Sequence, residues 1–246
     1  MSIYLIALLF FIIAALYASV GFGGGSSYIA LLLILGMAIE EVRLIALICN
    51  IIVVLGSCIN YYRADMIPWK KVLPIVIVSV PCAFLGGTIQ LDSGLYRLLA
   101  GVTLVIAAVL MLRPTANKLM NDSNPLSTGV RSSIGGGIGF VSGLIGIGGG
   151  IFLSPLLNII KWETAKLISV TASVFILFNS IAGIAGQLTN QIDIDTQNIL
   201  ILGLAVLTGG QLGNYLNIKI LSPTSVRLLT AILVGVAGVR FILSNL

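Results

Sequence analysis

Apolar segments alternate with short charged or turn-rich stretches along the whole chain. The apolar segments are 3–20, 26–36, 44–61, 72–90, 96–112, 131–145, 151–160, 167–188, 198–217 and 225–243. A helix adds about 1.5 Å per residue and needs about 20 residues to cross a hydrocarbon core of about 30 Å. Most of the segments approach that length, whereas 26–36 and 151–160 reach only about half way. The pattern predicts an all-α integral membrane protein that contains two half-helices.

The composition supports this fold class. Of the 246 residues 58% are hydrophobic and 9% charged, with a mean hydropathy of +1.14, whereas soluble domains have about a quarter charged residues. Segment 3–20 lacks a basic region before it, so we interpret it as part of the structure and not as a signal peptide. The net charge of +5 is spread singly between apolar segments, which argues against a nucleic-acid partner. We predict a multi-pass protein of the cell membrane, with the lipid bilayer as its surroundings.

Glycine motifs recur in the two halves of the chain. Gly21-Phe22-Gly23-Gly24-Gly25 is followed about 125 positions later by Gly146-Ile147-Gly148-Gly149-Gly150. Each motif precedes a short apolar run, a charged turn and a long apolar segment. Gly86-Gly87 and Gly209-Gly210 then occupy matching places. Because four features recur in the same order, the sequence predicts an internal repeat of the kind found in transporters.

A polar stretch near the middle of the chain separates the two halves. It contains two prolines and is the one long hydrophilic stretch of the sequence. Such a stretch is typical of a linker. We predict a first repeat over 1–112, a cytoplasmic linker over 113–130 and a second repeat over 131–246, all within one membrane domain.

Loop charges predict the topology. The loops with a net positive charge, which favour the cytoplasmic side, are 62–71, 113–131, 161–166 and 218–227. The loops 37–43 and 189–197 carry a net negative charge. This pattern fits inverted repeats, each a re-entrant helical hairpin followed by three full crossings, with both termini extracytoplasmic. If residues 3–36 instead form one broken spanning helix, the repeats are parallel.

The repeated triple glycine carries the candidate chemistry. A helix break at membrane depth is tolerated only where protein buries it or a cavity surrounds it, and glycine lets the backbone approach a ligand closely. Each break precedes a half-helix whose N-terminus carries about +0.5 charge and free N–H groups. We therefore expect a small anion at the midplane, although the glycines are also explained by close helix packing. The candidate substrate-binding residues are Gly23, Gly24, Gly25, Ser26, Ser27, Asn50, Gly148, Gly149, Gly150, Ile151, Thr171 and Ser173.

Polar residues inside the next long segment of each half form a second candidate group. They are Asn50, Ser57, Asn60, Thr171, Ser173, Asn179 and Ser180. These side chains offer donors to a solute near the midplane, or they form hydrogen bonds between helices. Both interpretations stay open at this point. Gln187 and Asn214 lie nearer segment ends, where contact with water explains them.

Other chemistries find little support in the sequence. The chain has no histidine, and its cysteines, Cys49, Cys58 and Cys82, form no CxxC pair, so we expect no metal and no cofactor. All eight acidic residues fall in predicted loops or at helix ends, and no nucleophile has a visible base beside it. We predict that the protein is not an enzyme. Among the basic residues Arg43 is interpreted as part of a charged turn, and Arg97, Arg227 and Arg240 as residues that reach the headgroups.

The chain resembles the sulfite exporter TauE/SafE family of membrane transporters over essentially its whole length. The resemblance is carried by the two Gly-x-Gly-Gly-Gly motifs, by Pro155 and by the midchain linker. The chain departs from the family pattern at Ala30, where proline is common, and at Asn50, where the second half has Ser173. The resemblance implies a carrier that moves sulfur-containing anions such as sulfite, sulfonates or sulfoacetate, mostly outward.

Several functions remain compatible with the sequence. The expected function is export of a small sulfur-containing oxyanion, with a small anionic substrate as the partner. An anion channel, or a membrane transporter of another small organic anion, uses the same features, and a scaffolding membrane protein does not need paired half-helices. A homodimer is neither indicated nor excluded.

Overall fold

The structure, a computed structural model, describes residues 3–19, 21–112, 127–160, 162–190, 196–216 and 223–243. Over these residues the chain is all-helical, as the hydropathy pattern predicts. The helices are α1 (Ile3–Ala18), α2 (Gly25–Ile34), α3 (Ile39–Arg63), α4 (Trp69–Thr88), α5 (Ser93–Leu112), α6 (Thr128–Ile145), α7 (Gly150–Ile159), α8 (Ala165–Gln187), α9 (Thr196–Leu216) and α10 (Pro223–Leu243). Most of the predicted linker lies outside the described residues.

Helix lengths confirm a multi-pass membrane protein. Within the described residues α3, α4, α5 and α8 are long and apolar enough to cross a membrane. They account for four of the six full crossings that the sequence predicts, and α9 and α10 have 21 residues each. The half-helices α2 and α7 have 10 residues each. A helix of that length spans about 15 Å, half of a hydrocarbon core.

The half-helices begin at glycines in the left-handed conformation. Gly24, which precedes α2, has φ 92°, and Gly149, which precedes α7, has φ 83°. Residues with a Cβ pay about 1–2 kcal/mol to adopt this conformation. The triple glycines therefore break the helix at the predicted positions, and α2 and α7 each begin one residue before the predicted segment.

The two sets of five helices pack against each other in a reciprocal way. The packed pairs include α1 with α9, α6 with α4, α3 with α9, α8 with α4, α2 with α10, and α7 with α5. If each helix of the first half is replaced by the helix at the same place in the second half (α1 by α6, and so on to α5 by α10) and the reverse, each of these pairs becomes another of the observed pairs. The pairs α3 with α8 and α5 with α10 map onto themselves. The core is therefore shared between the halves.

Helix directions follow from the close contacts. In the α4–α6 pair, a Cβ built on Gly139 would lie 2.5 Å from the Ser79 carbonyl oxygen, and one built on Gly143 would clash with Ala83. These contacts advance together along both helices, so α4 and α6 run parallel. Such small residues let helix backbones approach closely in a membrane protein.

The α5–α10 pair runs the other way. A Cβ on Gly101 would lie 2.9 Å from the Gly238 carbonyl oxygen, and one on Gly235 would lie 3.3 Å from Ala108. Positions that advance along α5 therefore meet positions that recede along α10. The two helices that occupy corresponding places in the two halves are antiparallel.

Candidate anion site at the meeting of two glycine-rich loops

One side chain joins the two glycine-rich loops. The side-chain oxygen of Asn50, Oδ1, accepts a hydrogen bond from the Gly25 N–H at 2.8 Å. The Nδ2 of the same side chain donates to the Ile147 carbonyl at 2.9 Å. Asn50 lies near the middle of α3 and is 1% exposed. The motifs that are about 125 positions apart in sequence therefore meet at a single buried amide.

Ser173 makes a corresponding link from α8. Its hydroxyl donates to the Gly21 carbonyl at 2.7 Å and to the Ser169 carbonyl, one turn earlier, at 3.1 Å. Asn50 and Ser173 occupy corresponding places in the two halves. Each of the two long helices thus binds a backbone carbonyl in the loop of the opposite half.

A small cavity lies where the loops meet. Its volume is about 10 Å³, which is about enough for one water molecule. The residues that line it are Tyr17, Phe22, Gly23, Gly24, Gly25, Ser26, Asn50, Ile147, Gly150, Ile151 and Ile176. A four-atom oxyanion is larger than this space.

The N-termini of α2 and α7 both reach this cavity. Ser26 and Ile151 are the second residues of their helices, where a backbone N–H has no acceptor within the helix. Both residues line the cavity. Two helix N-termini that face one space favour negative charge there, without any basic side chain at the site.

Some of the predicted site residues do not line the cavity. Ser27 shares a 2.6 Å hydrogen bond with Tyr17, and the Thr171 hydroxyl donates to the Leu167 carbonyl of its own helix. Gly148 is not among the lining residues, although a Cβ there would be 2.6 Å from Asn50 Nδ2. The cavity also includes the apolar side chains of Phe22, Ile147 and Ile176, which the sequence pattern alone does not single out.

Several polar residues of the second candidate group bind other helices. The Ser57 hydroxyl donates to Asn214 at 2.8 Å, and Asn179 Nδ2 donates to the Ser79 hydroxyl at 3.0 Å. Asn60 is exposed near the end of α3. The alternative of hydrogen bonds between helices therefore describes Ser57 and Asn179.

Among the described residues of the second half, three buried serine hydroxyls have no hydrogen-bond partner. They belong to Ser142, Ser154 and Ser180. Ser180 is fully buried, and its Oγ would lie 3.0 Å from a Cβ on Gly148. Buried polar groups normally have partners, so a free hydroxyl beside the second loop is a donor available to a bound solute.

Arg43 is not in a turn, and the interpretation from the sequence is wrong on this point. Because α3 begins at Ile39, Arg43 lies one turn inside the helix and is 3% exposed. The guanidinium donates to the carbonyls of Ile89 at 3.1 Å, Gly87 at 3.4 Å and Gly143 at 3.0 Å. These carbonyls lie at or near the C-terminal ends of α4 and α6, where a positive charge is favourable.

Gln187 is also buried, at 2% exposure, and its Nε2 and Oε1 have no partners. The expectation that it contacts water at a segment end is therefore wrong. It lies beside Gly87, where a Cβ would be 3.3 Å from the Gln187 backbone nitrogen.

By contrast Arg97 and Arg240 are exposed, as expected. No three His, Cys, Asp or Glu side chains of the described residues are placed to hold a metal ion.

Comparisons with known proteins agree with the fold. The family described as Sulfite exporter TauE/SafE matches residues 6–241. The probable membrane transporter protein y4hK of Sinorhizobium fredii is 31% identical over 96% of this chain and 97% of its own length. The probable membrane transporter protein MJ0441 of Methanocaldococcus jannaschii is 28% identical over 78% of this chain and 76% of its own length. No solved structure matches. The chain belongs to the sulfite exporter TauE/SafE family of membrane proteins.

Proposed function

We propose that this protein transports small sulfur-containing oxyanions, such as sulfite, a sulfonate or sulfoacetate, out of the cell. The observation that carries the proposal is the convergence of the α2 and α7 N-termini on one cavity beside Asn50. The family description and the printed names of the relatives, which are probable membrane transporters, support the general activity.

The proposed substrate suits a site built from backbone N–H groups. Sulfite and sulfonate groups are compact, carry negative charge and accept several hydrogen bonds. The amides of Ser26 and Ile151 and the hydroxyl of Ser180 are donors without partners in their own helices. The closed cavity must widen to admit such an ion, as alternating access requires.

Inverted repeats give this transporter two related gates. The antiparallel contact between α5 and α10 supports inversion, because two corresponding helices meet head to tail. In addition α1 packs along α9, whereas α2 packs along α10, as expected when α1 and α2 form a re-entrant hairpin. With the positive loops on the cytoplasmic side, both termini are extracytoplasmic.

Radiolabelled flux into proteoliposomes tests the proposal. Wild-type protein is expected to move sulfite, sulfoacetate or thiosulfate, whereas Gly24→Leu and Gly149→Leu are expected to abolish this flux. Their Cβ atoms would lie 2.9 Å from the Tyr28 ring and 2.7 Å from the Phe175 ring. Gly137→Leu is the matched control, because Gly137 is exposed and a Cβ there meets nothing within 4 Å.

Two outcomes decide between the candidate functions. Absence of flux for all three anions by wild-type protein overturns the proposed substrate class. Flux accompanied by single-channel currents in a planar bilayer identifies an anion channel in place of a carrier.

A further inference from the structure

Arg43 and Gln187 lie on a line of residues that leads away from the cavity beside Asn50, along the facing surfaces of α3 and α8. On α3 this line contains Asn50, Leu47 and Arg43, which recur at helical spacing on one face. On α8 it contains Ser180 and Gln187, with Gly183 between them. A Cβ on Gly183 would lie 3.1 Å from Leu47, so the two faces are in direct contact.

The second glycine loop lies beside this line at Asn50, Ser180 and Arg43. At the midplane Gly148 contacts Asn50 and Ser180, and farther out a Cβ on Gly146 would lie 3.0 Å from the Cα of Arg43. Arg43 precedes Asn50 by seven residues, which corresponds to about 10 Å along an α-helix. Arg43 therefore lies about 10 Å from Asn50, toward the N-terminal end of α3.

The guanidinium is buried without a carboxylate among its hydrogen-bond acceptors. Its terminal nitrogens bind three backbone carbonyls, and its Nε has no partner. A buried charge is costly unless it is paired, and an ionisable residue inside a membrane protein commonly marks the path of an ion. A planar guanidinium binds an oxyanion with two parallel N–H groups, and the Nε–H is free to be one of them.

Gln187 supplies a second, independent observation. Its side-chain amide is buried and unpartnered at both polar atoms, and its backbone nitrogen lies near Gly87, whose carbonyl Arg43 binds. An unsatisfied buried amide costs free energy in the closed protein. A bound oxyanion would accept from the Nε2–H group and recover part of that cost.

We propose that Arg43 and Gln187 form an outer binding station for a small oxyanion, on the Gly146 side of the midplane cavity. This inference rests on the proposed function and adds to it a second site on the transport path. On its way out of the cell the anion leaves Asn50, passes Ser180 and then binds the Arg43 guanidinium, which exchanges its carbonyl contacts for the oxygens of the anion. Arg43 thus contacts the substrate in transit and does not only hold α4 and α6 together.

The concentration dependence of [³⁵S]sulfite flux in proteoliposomes tests the station. Arg43→Gln, which removes the charge, is expected to raise KM about tenfold, as loss of a charge-assisted hydrogen bond does. Arg43→Lys keeps the charge but loses the planar fork, so we expect KM to rise by less than in Arg43→Gln. Gln187→Leu removes only an unpartnered amide, so KM is expected to rise several-fold while thermal stability is kept.

Lys166→Gln is the matched control. Lys166 occupies the place in α8 that corresponds to Arg43 in α3, and it is exposed. We expect its KM to stay within about twofold of wild type, as for a surface charge with little energetic weight.

A purely structural Arg43 makes different predictions. Arg43→Lys and Arg43→Gln would then lose stability and flux alike, and Gln187→Leu would leave KM unchanged. That pattern overturns the station while sulfite flux by the wild type still supports the proposed function. A wild-type protein that moves none of the tested oxyanions overturns both.

Discussion

The two glycine-rich loops have similar backbones but different side-chain surroundings. Around the first loop, Tyr17 binds Ser27 and Ser173 binds the Gly21 carbonyl. Around the second loop, the hydroxyls of Ser142 and Ser180 have no partners. Hydrogen bonds within the protein hold both loops, since Asn50 binds the Ile147 carbonyl of the second loop, and the second loop has in addition unpartnered serine hydroxyls beside it.

The charge beside each loop also differs. Gly146 in the second loop packs against buried Arg43, whereas a Cβ on the corresponding Gly21 would lie 3.2 Å from the hydroxyls of Ser173 and Tyr61. Lys166, which corresponds to Arg43, is exposed. The two glycine-rich loops therefore differ in the charge that lies beside them.

Asn50 joins the two loops, so a substitution there is expected to have the largest effect. Asn50→Asp is expected to lower sulfite flux at least about 100-fold, because like charges a few Å apart repel by roughly 4 kcal/mol at an effective dielectric of about 20. Asn60→Asp makes the same chemical change at the exposed end of α3 and is expected to keep flux within about twofold of wild type. Equal flux in both variants would contradict the assignment of Asn50 to the anion site.

Substitution by alanine at the two helix breaks tests whether both loops need glycine in the left-handed conformation and in tight packing. Gly24→Ala and Gly149→Ala are each expected to lower the free energy of unfolding by more than the about 1–2 kcal/mol of left-handed strain, since each Cβ also meets an aromatic ring. Gly36→Ala has the same strain, at φ 77°, but meets nothing within 4 Å. Denaturant titration in mixed micelles measures the three values. A loss no larger than that of Gly36→Ala would argue against tight packing of the loops.

Two serines on α8 test the difference in hydrogen bonding beside the two loops. Ser173→Ala removes a bond to the first loop and is expected to cost about 1 kcal/mol of stability. Ser180→Ala removes a hydroxyl without a partner, so stability is expected to stay unchanged while KM for sulfite rises several-fold. If Ser180→Ala destabilises the protein as much as Ser173→Ala, the proposed difference between the loops is wrong.

A pair of tyrosines gives the smallest expected effect. Tyr17→Phe loses the hydrogen bond to Ser27 and is expected to cost about 0.5–1 kcal/mol of stability. The Tyr28 hydroxyl has no partner, although its ring stacks on Phe10 at 4.5 Å, so Tyr28→Phe is expected to be neutral. The thermal unfolding midpoints of the two variants distinguish these outcomes, and a larger loss for Tyr28→Phe would contradict the hydrogen-bond assignment.

The helix breaks could be predicted from the sequence because their cause is local. Three adjacent glycines interrupt a helix wherever they occur, and the short segments that follow are visible in the hydropathy pattern. The same argument placed Gly24 and Gly149 at the N-termini of α2 and α7. Local chemistry also indicated Ser26 and Ile151, which line the cavity.

Arg43 and Gln187 could not be located by the same reasoning. Both lie close to segment ends, where charged and amide side chains usually meet water or headgroups. Arg43 binds a carbonyl of α6, and Gln187 lies where α8 packs on α4, so the places of both depend on contacts between the two halves. The separation of Arg43 from Asn50 by seven residues placed them on one helical face, but only if the helix is known to begin as early as Ile39.

The position of a bound anion is the most direct test of the central claim that two helix N-termini form one site. Selenite has the shape and charge of sulfite, and selenium gives a strong anomalous signal in crystals of the protein. The account predicts a selenium peak between Ser26 and Ile151, beside Asn50, with oxygens about 3 Å from backbone nitrogens. A peak on the protein surface only, or an empty cavity at selenite concentrations that saturate flux, would contradict the account.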